Sequence, residues 1–109
     1  MMPGKIARKE LKEKMERGDD FTLVDARSSD SYREERIKGA ISLPLEEVEK
    51  EAEGMLSKDG EIVVYCGGFS CPASGNEVRK LRDMGFKNVK HYAGGIKEWK
   101  EAGYPTETG

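Results

Sequence analysis

The chain has two cysteines, Cys66 and Cys71, and both fall in the passage Val63-Val64-Tyr65-Cys66-Gly67-Gly68-Phe69-Ser70-Cys71-Pro72. A thiolate is a nucleophile, and its pKa falls from ~8.5 to as low as ~3.5 at a helix N terminus or beside a cation. Cys66 follows an apolar run and precedes two glycines and a proline, which places it in a loop between a buried strand and a helix. The first N–H groups of a helix are unpaired donors with partial positive charge, and Gly67 and Gly68 can adopt the dihedrals that let a loop aim further N–H groups at one anion. Cys66 is therefore expected to be the catalytic residue, a nucleophile that accepts a sulfane sulfur and holds it as a persulfide. Gly67, Gly68, Phe69, Ser70 and Cys71 would form the anion-binding loop, with Phe69 at the pocket mouth. The plainer alternative is that Cys66 is one more small buried side chain.

Cys71 leaves two readings open. A second thiol at the far end of the same loop can resolve a persulfide on Cys66, expelling sulfide and leaving a disulfide, provided the two Cα atoms lie within about 7 Å. The other reading is a small residue packed at the helix start. His91 is the sole histidine, and a lone histidine near a strand end is expected to be structural or exposed. Cys66, Cys71 and His91 are one ligand short of a closed zinc site, so no metal is expected, and thiol exchange calls for no cofactor.

The elements that must position these residues follow from pattern. Leu11 and Met15 amid Lys and Glu predict a helix over 8–17, closed by Gly18. The run 21–25 reads as a buried strand ending at Asp25, and 29–35 as one or two helical turns. A short extended piece within 38–44 is stopped by Pro44. Leu45, Val48, Ala52, Met55 and Leu56 form the stripe of a helix over 45–56. The continuous apolar run in 61–65 suggests a strand covered on both faces. Pro72 suits a first helical position, with Val78, Leu81 and Met84 as the apolar stripe of a helix ended by Gly85. A strand at 88–92, a turn at Gly94-Gly95 and a helix over 96–102 complete the chain. Strands alternating with helices imply an α/β fold with a parallel sheet.

At 109 residues there is room for one domain, expected to occupy 1–109 with loose residues at both ends. A net charge of −2 gives no field that would gather nucleic acid or an anionic membrane. No apolar run reaches the ~18–20 residues of a membrane span, and 1–5 has no signal-peptide pattern, so the chain reads as cytoplasmic.

Four passages together resemble the rhodanese-like sulfurtransferase family over about 6–105. They are Leu23-Val24-Asp25-Ala26-Arg27 before Tyr32, Ile37-Lys38-Gly39-Ala40-Ile41 running to Pro44-Leu45, Ile62-Val63-Val64-Tyr65-Cys66, and Gly94-Gly95-Ile96-Lys97-Glu98-Trp99 before Gly103-Tyr104-Pro105. The resemblance implies a three-layer α/β/α fold with a central parallel sheet of about five strands and a six-residue active-site loop, 66–71. It implies sulfur transfer from thiosulfate, a polysulfide or a protein persulfide through Cys66 to a thiol or cyanide acceptor, a partner protein being compatible with this. Asp25 and Arg27 would anchor loops. Two departures stand out. The loop holds no cation, Cys71 standing where many members have arginine, so thiosulfate should bind weakly. Arg36 replaces the family's histidine before the Ile-x-Gly-Ala motif. The alternatives are a Cys66/Cys71 dithiol redox protein or persulfide reductase, and a non-catalytic interaction module on the same fold.

Overall fold

The computed structural model describes residues 4–108, so the expectation of loose ends falls in part outside the described residues. Helix α1 is Arg8–Arg17, and Gly18 closes it in the left-handed conformation with φ 73°. Strand β1 is Thr22–Asp25, α2 is Ser29–Glu34, and β2 and β3 are the two-residue strands Arg36–Ile37 and Ile41–Ser42. The helix expected over 45–56 divides into a 3-10 turn, Leu45–Glu47, and α3, Val48–Met55. Strand β4 is Glu61–Tyr65, α4 is Ala73–Asp83, β5 is Asn88–Tyr92, α5 is Gly95–Glu101 and β6 is Thr106–Glu107.

Four strands form the central sheet in the order β3-β1-β4-β5, all parallel. The fifth expected strand is reduced to a bridge. Lys5 pairs with His91 at the β5 edge, where the Ile6 N–H donates to the His91 carbonyl at 3.1 Å and the His91 N–H to the Gly4 carbonyl at 2.8 Å. Among the described residues the pairing extends no further, Gly4 turning at φ 83° and α1 starting at Arg8. A separate two-stranded ribbon joins β2 and β6 antiparallel.

Alternation along β4 sends its residues to opposite faces, and each face is covered. Ile62 and Val64 pack with Val24, Val48, Ala52, Val78 and Leu81, beneath α3 and α4. Val63 and Tyr65 pack with Leu11, Leu23, Ile37, Tyr92, Ile96 and Trp99, beneath α1 and α5. This is the three-layer α/β/α arrangement that the family resemblance implies. Parallel strands buried on both sides bring their carboxyl ends to one edge, where Asp25 and Tyr65 lie side by side in register and Cys66 follows directly. Among the described residues no helix is long and apolar enough to cross a membrane.

Candidate active site

Cys66 leaves β4 at this edge, only 1% exposed. The base of its loop is pinned by α5: the Ile96 N–H donates to the Cys66 carbonyl and the Lys97 N–H to the Gly67 carbonyl, both at 3.0 Å. Gly95 makes that approach possible. Its φ is 66°, and a Cβ there would stand 2.5 Å from the Cys66 carbonyl oxygen and 2.7 Å from the Gly68 nitrogen. The pairing Gly94-Gly95 is thus a seat for the loop as well as a turn.

Beyond its base the loop turns back through Phe69 and Ser70, and the Cys71 N–H closes the turn on the Gly68 carbonyl at 3.1 Å. That amide is therefore used within the loop. Among the described residues the amides of Gly67, Gly68, Phe69 and Ser70 donate to no protein acceptor. Pro72, expected at the first helical position, instead caps the helix one residue before its start at Ala73, and its carbonyl accepts from the Asn76 N–H at 3.1 Å. Phe69 is 74% exposed and lines a shallow cavity of about 180 Å³ together with Ile6, Arg8, Tyr92 and Gly94.

The turn brings the two thiols together. Cys66 and Cys71 are joined as a disulfide with Cα atoms 6.3 Å apart, inside the reach that bridging requires. In this state neither sulfur is a nucleophile.

Behind the loop lies a buried anchor. Asp25 is fully buried and takes three groups of Arg27: the backbone N–H at 2.9 Å, Nε at 3.1 Å and Nη2 at 2.7 Å. Arg27 Nη2 also donates to the Glu35 carbonyl at 2.6 Å. The Tyr65 hydroxyl donates to Asp25 Oδ2 at 2.8 Å and accepts from the Ile37 N–H at 3.1 Å. Burial first, and then the Asp25 charge, push the Tyr65 phenol well above its ordinary range, so it stays protonated and keeps donating. The residue beside Cys66 thereby ties β4 to β1 and to the segment after α2. Arg36, the departure before the Ile-x-Gly-Ala motif, stacks its guanidinium over the Tyr32 ring 4.6 Å from the centroid.

His91 does not join the cysteines. Its Nε2 shares a 2.7 Å hydrogen bond with Ser74 Oγ, which holds β5 to the first turn of α4. Burial, then the Lys5 and Arg82 charges, lower its pKa. Among the described residues no three His, Cys, Asp or Glu side chains gather as metal ligands.

Two residues escaped the sequence reading. Glu77 is fully buried on α4, both carboxylate oxygens are unpartnered among the described residues, and burial, then the nearby Asp25 charge, raise its pKa to about 8. Its signal was its spacing, since Glu77, Leu81 and Met84 share a helix face. Lys97 lies across the loop from α5, with the side-chain stem within 3.9 Å of where a Gly68 Cβ would be. It brings an exposed cation beside a loop that has none of its own.

The family model described as Rhodanese-like domain matches residues 7–102, and the chain belongs to that family. The thiosulfate sulfurtransferase GlpE of Coxiella burnetii is 33% identical over 87 residues, covering 80% of this chain and 78% of that one. The HTH-type transcriptional regulator Rv0324 of Mycobacterium tuberculosis is 40% identical over 105 residues, 95% of this chain and 45% of the regulator. An uncharacterized Synechocystis protein, slr1261, is 36% identical over 93% of this chain and 54% of its own length. The chain thus spans about half the length of these last two curated relatives. Among solved structures, the solution structure of the rhodanese-like domain of Alr3790 from Anabaena superposes with a TM-score of 0.89 at 33% identity, over 98% of this chain and 80% of that one.

Proposed function

We propose that this domain is a sulfurtransferase or persulfide carrier in which Cys66 is the nucleophile. The carrying observation is the placement of Cys66 at the carboxyl edge of the sheet, at the head of a loop whose amides at 67–70 are unspent. Once reduced, Cys66 as thiolate attacks a sulfane sulfur, the donor's S–S bond breaks, and the donor fragment departs with the bonding pair. The persulfide anion gains from the same N–H groups that stabilise the thiolate. A second thiolate then takes the outer sulfur and regenerates Cys66. The family and its thiosulfate sulfurtransferase member support this chemistry.

The loop's chemistry favours a donor without an oxyanion head. A dianion such as thiosulfate has no guanidinium fork to meet it here, and Lys97 is an exposed point charge screened by solvent. Polysulfides and protein persulfides are the better donors on this reading, and soluble thiols the acceptors.

The test is intact mass of the reduced protein after exposure to polysulfide or thiosulfate. The expected result is a gain of about one sulfur atom that disappears in Cys66→Ser, with polysulfide loading faster than thiosulfate. An unchanged mass with either donor would sink the catalytic reading and leave a binding module on this fold.

A further inference from the structure

Cys71 is not needed for simple transfer, yet the loop is built to return it to Cys66. The two ends have different standing. Cys66 is buried and its carbonyl is fastened to α5, whereas Cys71 is part-exposed at the loop's outer end, held by one turn hydrogen bond to Gly68. With the Cα atoms 6.3 Å apart, the two sulfurs are already bonded across the turn. The disulfide is also the product of a definite reaction.

Resting on the persulfide reading above, we infer that Cys71 is a resolving thiol and that the domain has a further activity, reducing sulfane sulfur to sulfide. Cys71 Sγ, as thiolate, attacks the inner sulfur of the persulfide, Cys66 Sγ. The bond between Cys66 Sγ and the outer sulfur breaks, and its electron pair leaves with the outer sulfur as hydrosulfide, which takes up the proton given by the Cys71 thiol. Counted over loading and resolution together, the donor's sulfane sulfur gains two electrons and the two cysteine sulfurs lose one each, so the products are one hydrosulfide and the disulfide between Cys66 and Cys71. An external dithiol then reduces that disulfide by exchange through a mixed disulfide and is itself oxidised. Cys71, being the more exposed sulfur, is the one it reaches first.

The competing step is attack on the outer sulfur, which would move the persulfide to Cys71 and release nothing. Geometry favours the inner attack, because this chain already accommodates the Cys66–Cys71 bond that attack forms.

The experiment is a single turnover. The reduced chain is loaded with about one equivalent of polysulfide sulfur, stripped of excess donor, and followed by sulfide release and intact mass. The native chain should release about one equivalent of sulfide and end two hydrogens lighter than its reduced form. Cys71→Ser should still gain sulfur on Cys66 but release sulfide at least about tenfold more slowly. Cys71→Ala, which lacks the hydroxyl, should behave the same way and guards against a misfolded serine variant. If the native chain keeps its persulfide as long as both Cys71 variants do, the resolving role is overturned while sulfur transfer stands. If neither the native chain nor the variants gain sulfur, the transfer reading itself falls.

Discussion

Glu77 is a buried carboxyl group with no partner among the described residues, and protonation is how such a group avoids a buried charge. Its folded pKa of about 8 lies above the ordinary 4.5. Between those values the native chain holds a proton that the unfolded chain has released, so unfolding is increasingly favoured as pH rises through that window. The contribution of Glu77 to stability is therefore best below about pH 4.5 and declines towards pH 8. Glu77→Gln should remove this decline. Relative to the native chain it should gain stability between pH 5 and 8, on the order of 3 kcal/mol at the upper end, read from thermal or urea unfolding. Parallel pH curves for the two proteins would show that Glu77 finds a partner in solution.

At the scale of elements, the bond set around Asp25 makes the end of β4 a junction rather than a free strand tip. The Tyr65 hydroxyl is the sole described link from β4 to both Asp25 and the Ile37 N–H. Tyr65→Phe leaves that buried N–H unsatisfied and removes one donor from Asp25. The expected cost is about 1–3 kcal/mol in urea unfolding, with an unchanged denaturant slope. A cost near zero would mean that water or a shifted backbone replaces the phenol.

The long elements were legible in the sequence because their periods were long enough to see. Leu11 and Met15 gave α1, and the apolar run of 61–65 gave β4 with its ends intact. The ribbon of β2 and β6 was not, since two residues cannot show alternation and the partners lie far apart in the chain. The split of 45–56 was also hidden. Its apolar spacing fits a single helix, but the chain tightens into a 3-10 turn straight after Pro44. In the candidate site, the strand-loop-helix setting of Cys66 was legible, and the loop length allowed the Cys71 contact without deciding it. Tyr65 read as one more apolar strand residue. Lys97 meets the loop only through tertiary packing, which no local pattern reports.

For the molecule as a whole, the sheet separates two cores with no shared side chains. Ile62 belongs to the core under α3 and α4, and Ile37 to the core under α1 and α5. Ile62→Val and Ile37→Val should each cost about 0.5–1.5 kcal/mol, and the double variant should equal their sum within about 0.5 kcal/mol. A larger discrepancy in urea unfolding would mean that the sheet transmits strain between its faces.

The bonds from Ile96 and Lys97 to the loop base give the molecule an internal gauge of its own oxidation state. Both amides belong to α5, yet their acceptors are the carbonyls of Cys66 and Gly67, so their hydrogen exchange follows the opening of the loop rather than the fraying of the helix. The disulfide holds that loop at both ends; reduction frees its outer end only. Exchange at these two amides should therefore quicken on reduction while that of the Trp99 amide, further along the helix, stays unchanged, so that a pair of backbone resonances reads out the thiol chemistry without any label on sulfur.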